Sequence, residues 1–245
     1  MHGLFIGLTT LDLVYRAEAP PATNEKRVAS DYTFASGGPA TNAAATFAYL
    51  GNQATLLSVV GSHPLAMLIQ VDLQTCGVTL LDLAPHHPES PPISSIIVTE
   101  STGDRAVVSI NAVKTQVSAS QIPASILDGI DVVLIDGHQM VVGSAIAHSA
   151  KSRNIPVVID GGSWKPNFET VLPYADYAIC SANFHPPNCP TEADAIAFLQ
   201  QFSIPHIAIT HGAAPIHYVH DQEVGNLSVP LIQPVDTLGA GDIFH

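Results

Sequence analysis

Positive charge is scarce in this chain: eight lysines and arginines stand against 21 aspartates and glutamates in 245 residues, a formal net charge of −13. Nucleic-acid and anionic-membrane surfaces need clustered cations, so polyanionic partners are not expected. Cysteine is scarce as well. Cys76, Cys180 and Cys189 are odd in number and form no CxxC pair, which leaves a disulfide framework or a cysteine zinc site without support and predicts reduced thiols. No basic segment precedes the short apolar stretch at residues 3–8, and Asp12 interrupts it far short of a membrane span, so no signal sequence or transmembrane helix is read there and a cytosolic location is expected. There is no internal repeat, low-complexity tract or linker. The 12 histidines form no set with metal-ligand spacing: His86 and His87 lie in a Pro-rich stretch, and His217 and His220, three apart on a strand, point to opposite faces.

What the chain has is apolar periodicity. Its 47% hydrophobic content over 245 residues suits one sizeable α/β domain with a small appendage. Residues 3–8 read as a buried strand followed by a turn carrying Asp12, and residues 27–35 as a half-exposed strand. Pro39 suits a first helical turn and Gly51 the position past a helix end, bracketing a helix of about three turns. Residues 54–60 form a second core strand, and 64–75 a helix stopped by Gly77. Residues 93–99 and 105–111, joined by Ser101-Thr102-Gly103-Asp104, predict a β-hairpin. From residue 130 the pattern is βαβ, with strands at 132–136, 156–160, 177–180 and 206–210 and helices at 142–153 and 192–202. Such alternation predicts a mostly parallel, doubly wound sheet with helices on both faces and ligands outside the strand C-termini, where Asp136, Asp160, Ser181 and Thr210 fall. The strands at 27–35 and 93–111 fit that order poorly and are read as a small sheet standing off the main one.

Chemistry is concentrated in Asp236-Thr237-Leu238-Gly239-Ala240-Gly241-Asp242. Glycines at 239 and 241 let backbone N–H groups converge on one point, and a helix running on from them adds the positive end of its dipole, an arrangement that binds phosphate. A carboxylate is a poor phosphate ligand, so Asp242 in that first turn suits other chemistry, accepting the proton of a hydroxyl that attacks a phosphoryl group. Taken alone, the string also fits an ordinary Gly-rich turn with an aspartate at a helix N-terminus.

A second motif removes that ambiguity. Gly37-Gly38-Pro39-Ala40-Thr41-Asn42-Ala43-Ala44-Ala45-Thr46-Phe47-Ala48-Tyr49-Leu50-Gly51 is a Gly-Gly turn entering an Ala-rich helix with Asn one turn in. It resembles the N-terminal motif of the PfkB (ribokinase-like) carbohydrate kinases, and the 236–242 string resembles their C-terminal motif, in the same order and over essentially the whole chain. The resemblance implies a ribokinase-like α/β fold with a β-sheet lid over the sugar, whose outer face often forms a homodimer. It implies ATP and Mg²⁺ as cofactors and phosphorylation of a hydroxyl on a small sugar or sugar-like molecule. A nucleoside kinase of the same superfamily and a non-catalytic sugar- or nucleotide-binding relative stay open as alternatives.

Residue by residue, the resemblance assigns Asp242 as general base, and Asp12, Gly38 and Asn42 to the sugar hydroxyls. Thr237, Gly239, Ala240 and Gly241 become the anion hole, and Thr210 and Gly212 of Thr210-His211-Gly212 contact the ATP phosphates. Arg105 and Asn111, which bracket the second hairpin strand, are either lid contacts to substrate or solvent-facing strand residues. Lys165 either neutralises phosphate charge or is a solvated lysine. Many family members carry Asn-x-x-Glu where this chain has Ser181-Ala182-Asn183-Phe184-His185; Asn183 is expected to serve in part, and the metal ligands stay unknown. The family continues for several dozen residues past the glycine turn, so residues 1–245 are expected to be a single domain, C-terminally incomplete, with the adenine pocket beyond His245.

Overall fold

A computed structural model describes residues 1–110, 116–221, 223–232 and 237–245. In chain order the elements are β1 (His2–Ile6), β2 (Thr10–Ala17), β3 (Asp31–Gly37), α1 (Pro39–Tyr49), β4 (Gln53–Ser58), α2 (Ala66–Thr75), β5 (Val78–Asp82), β6 (Ile93–Thr99), β7 (Arg105–Ser109), β8 (Val132–Ile135), α3 (Met140–Ser152), β9 (Val157–Gly161), β10 (Tyr177–Ser181), α4 (Glu192–Gln200), β11 (His206–His211), β12 (Ala214–His220), β13 (Glu223–Leu227) and α5 (Ala240–Phe244).

Nine strands form one sheet in the order β13-β12-β11-β10-β9-β8-β1-β4-β5, parallel from β11 to β5 and antiparallel at the β11–β12–β13 edge. Period-2 alternation sends Leu4 and Ile6 of β1 to one face and Phe5 to the other, and each face is covered. Leu4 and Ile6 join a core with Ile146 of α3 and Leu199 of α4, whereas Phe5 joins Ala44 of α1 and Ile69 of α2. The chain leaves β1 toward β4 and β5, then returns to β8 on its other side. The reversal opens a crevice between β1 and β8 at their C-terminal ends, where ligands collect in such sheets.

Four further strands form a separate sheet, β3-β2-β6-β7. The doubly wound sheet with helices on both faces and a small β-lid is therefore the observed architecture, with two local corrections. Asp12 lies inside β2, not in a turn: Leu11, Leu13, Tyr15 and Ala17 alternate cleanly, but Asp12 interrupts the apolar run that continues from β1. The strand read at 27–35 runs instead over Asp31–Gly37, because pairing with β2 begins at Asp31 opposite Arg16, after Pro20, Pro21 and a left-handed Asn24. Among the described residues no helix is long and apolar enough to cross a membrane.

Candidate active site

The site begins at the exit from β3. Gly38 has φ 102°, a region L side chains rarely adopt, and a Cβ there would meet the Leu8 carbonyl oxygen at 2.4 Å. Gly38 thus lets the start of α1 sit hard against the end of β1. Thr41 locks it, its Oγ1 donating to Leu8 O at 2.9 Å. Asn42, partly buried, follows on the helix; Asp12 of β2 faces Gly37, where a Cβ would meet its Oδ2 at 2.0 Å, and its Oδ1 accepts from Thr10 Oγ1 at 2.7 Å.

The second motif meets the first here. Asn42 Nδ2 donates to Asp242 Oδ2 at 2.7 Å across 200 residues of sequence. Gly239, in the left-handed region at φ 70°, lies against the Asn42 amide and starts α5. The turn before it is held from both sides: Ala240 N donates to Thr237 O at 3.3 Å, and Arg105 of the lid donates to the same oxygen at 3.2 Å. Arg105 thus rests on the glycine turn. Asn111 lies outside the described residues, as does Asp236.

His245, one helical turn beyond Asp242, has its Nδ1 2.8 Å from Asp160 Oδ1 at the end of β9 and its Nε2 3.2 Å from Thr210 Oγ1 at the end of β11. The side chains of His245 and Asp160 are 2% and 1% exposed, and Asp160 Oδ2 is buried with no hydrogen-bond partner among the described residues. The motifs alone do not reveal this pair, although the strand-end position of Asp160 and the i,i+3 spacing of His245 from Asp242 are both signals in the sequence. Gly212 lies in the β11–β12 turn. Asn183 lies in the exposed turn after β10, its N–H bonded to Ser181 Oγ at 3.1 Å. The strand-end turns and the motif pair are brought to one side of the sheet through the contact of Thr210 with His245.

Burial pushes the Asp242 carboxyl above the usual aspartate range; the Asn42 hydrogen bond and His245 oppose that, and the negative charges of Asp160 and Asp136 reinforce it. Lys165 is held by Ser163 through both its carbonyl and its hydroxyl oxygen. Burial lowers its affinity for a proton, against the pull of Asp136 and Asp160. Deeper still, Asp136 fills the crevice between β1 and β8. Its Oδ2 accepts from Leu8 N at 2.8 Å and Ala40 N at 3.1 Å, and its Oδ1 from His138 N at 2.9 Å and His138 Nδ1 at 3.1 Å. Every described contact of Asp136 is internal, so it builds the floor of the site.

The profile of the family described as pfkB family carbohydrate kinase matches residues 3–245. The ribokinase of Bacillus subtilis (strain 168) is 25% identical over 255 residues, covering 98% of this chain and 82% of that protein. Among solved structures, the ribokinase of Arabidopsis thaliana complexed with ribose and ATP superposes with a TM-score of 0.74 at 18% identity, over 99% of this chain and 82% of that one. The ribokinase of Thermotoga maritima gives 0.75 at 16% identity, over 99% and 82%. At those identities the structures speak for the fold, which is ribokinase-like.

Proposed function

We propose that this chain, which belongs to the pfkB family of carbohydrate kinases, transfers the γ-phosphoryl group of ATP to a hydroxyl of a small sugar or sugar-like molecule with Asp242 as the general base. The observation that carries this reading is the 2.7 Å contact of Asn42 with Asp242. It joins the residue type that holds a sugar hydroxyl to the one that deprotonates it. A half-buried carboxylate with a raised proton affinity is a better base than a solvated one. The turn from Thr237 to Gly241 leads into α5, where the Ala240 N–H donates to Thr237 O and the N–H groups that follow it would be the donors a transferring phosphoryl group needs.

The residues fit Mg²⁺. Asp160 Oδ2 is a buried carboxylate oxygen with no hydrogen-bond partner among the described residues, and hard oxygen is what that ion takes. Asp160 would hold it, with Asn183 toward the phosphates, and when bound the ion neutralises charge on the phosphoryl group. The other roles belong to the protein's own groups. Asp12 and Asn42 orient the acceptor hydroxyls against the Gly37–Gly38 turn, Thr210 and Gly212 line the phosphate side, and Arg105 keeps the lid seated on the catalytic turn.

An ATP-turnover screen with Mg²⁺ against aldoses, ketoses, deoxy-keto acids and nucleosides tests the reading; absence of phosphoryl transfer to every acceptor would overturn it. Asp12→Ala is expected to raise the sugar KM by the equivalent of about 1–3 kcal/mol, because buried hydroxyls lose a partner, with ATP binding unchanged. Asn42→Ala should raise KM similarly and also move the acidic limb of kcat to higher pH, since the lost donor favoured the ionised form of Asp242. Calorimetry with unchanged sugar affinity in both variants would relocate the substrate site.

The lid also supports a homodimer. Register puts Leu13, Tyr15, Tyr32, Phe34 and Val108 on the face opposite Asp12 and Arg105, and Tyr15, Tyr32, Phe34 and Val108 of these are exposed. Contiguous exposed aromatics of this kind mark interfaces. Sedimentation equilibrium is expected to give twice the chain mass, and Phe34→Asp to return the monomer mass; a wild-type monomer at micromolar concentration would refute the dimer.

A further inference from the structure

A cluster that adjoins the phosphate side of the kinase site, through His211 between Thr210 and Gly212, has no role in the function above. α4 begins at a capping box in which Thr191 Oγ1 accepts from Asp194 N at 3.2 Å and Asp194 Oδ2 accepts from Thr191 N at 3.1 Å. The cap needs nothing from Glu192, whose carboxylate is left to reach sideways to the β11–β12 edge. There its Oε2 lies 2.7 Å from His211 Nε2 and its Oε1 lies 2.6 Å from His217 Nδ1. His217 pairs with Ile209 across the antiparallel ladder, and the register shift between Ile209 and His211 carries the His211 ring to 4.7 Å from that of His217.

The far side of His211 identifies what belongs between the three. Its Nδ1 lies 3.1 Å from the Pro215 carbonyl oxygen. A carbonyl only accepts, so Nδ1 carries the proton, and in the neutral ring Nε2 then presents a lone pair directly at a carboxylate oxygen. Two acceptors at that distance need either a proton or a metal cation between them. An imidazole whose outer N–H is fixed by a backbone carbonyl is the arrangement found behind metal-bound histidine.

We propose that Glu192, His211 and His217 form a binding site for a divalent transition-metal ion, zinc foremost. The three ligand atoms lie within 4.8 Å of one another. Bonds of about 2.0–2.2 Å in tetrahedral geometry put donors about 3.3–3.6 Å apart, so admitting the ion opens each carboxylate–imidazole contact by about 1 Å or less and sets the two imidazole nitrogens at the same spacing. Side-chain exposures of 30%, 21% and 42% for Glu192, His211 and His217 leave it an entry path and room for a water ligand. Two imidazoles with one carboxylate suit zinc over magnesium or calcium. Bound there, the ion ties the start of α4 to the β11–β12 hairpin. The site is independent of the kinase reading.

The test uses the full chain without a histidine tag, stripped with chelator and titrated with Zn²⁺ by calorimetry and with Co²⁺ by ligand-field absorption. One ion per chain is expected, at about micromolar affinity or tighter, together with a higher Tm. His211→Ala and His217→Ala should each weaken binding by more than about 100-fold, beyond the 10–100-fold that loss of an outer partner costs. His206→Ala, at the stacked His206–His220 pair, should leave it unchanged. If His217→Ala melts early without metal, His217→Gln takes its place. No saturable binding of either ion, or binding that survives the His211→Ala/His217→Ala double substitution, would mean that the cluster is an ion pair only and overturn the proposal.

Discussion

Asp242→Asn is expected to lower kcat by about 10²–10⁴-fold, the range that loss of a positioned base costs, with sugar affinity changed little. The amide keeps the shape of the side chain, and its oxygen still accepts from Asn42 Nδ2, so the loss falls on proton transfer and not on binding. The pH profile separates the two effects. Burial and the neighbouring Asp160 and Asp136 charges raise the Asp242 pKa, so the acidic limb of kcat in the wild type should lie above the ordinary aspartate value of about 3.9. Below that limb the base is protonated and turnover falls, and in Asp242→Asn the limb should vanish. A kcat within about threefold of wild type would remove Asp242 from the chemistry.

Asp136→Ala is expected to be the most destabilising substitution near the site. It strips acceptors from the N–H groups of Leu8, Ala40 and His138 in a position 3% exposed. Each buried, unpaired donor costs about 1–3 kcal/mol, so a loss of about 3 kcal/mol or more follows, or roughly 6–12 °C in Tm for a chain of this size. Acid should reproduce part of it. Burial pushes the Asp136 carboxyl upward, but the His138 charge and hydrogen bond and the Leu8 and Ala40 N–H groups hold it below the usual range. A depressed folded-state pKa gives stability that is complete above the unfolded value of about 3.9 and is lost as pH falls through the lower folded one. Thermal melts of wild type and variant that coincide within about 2 °C at pH 7 would contradict this account.

Residues with one strong local signal are legible from sequence. α1 is bracketed by Pro39 and Gly51, and β6 is marked by its β-branched residues Ile93, Ile96, Ile97, Val98 and Thr99. The βαβ half is legible because buried parallel strands are continuous apolar runs. β2 is hidden because its alternation starts without a break in hydrophobicity after β1, and β13, with Gly225 and Asn226 and an exposed surface, carries little apolar pattern. The same limit governs the site. Asn42 and Asp242 announce themselves through glycine turns, but Asp136 is an ordinary strand-end aspartate until Leu8 and Ala40 are seen against it. Sequence spacing sets His217 only against His220 on its own strand, while its neighbours are His211 on the next strand and Glu192 on a helix.

The 200 residues between Asn42 and Asp242 also bear on how the protein reaches its working state. Closing a loop of that size costs only about 0.6 kcal/mol more than closing one half as long, so the contact is thermodynamically undemanding. Kinetically, distant contacts form late. A molecule in which both cores have collapsed already surrounds Trp164 with Phe168, Phe184 and Phe198, and its fluorescence would resemble that of the finished protein. It would still lack the Asn42–Asp242 contact until the two motifs meet, so on the proposed function optical probes of refolding would overcount the molecules competent for phosphoryl transfer.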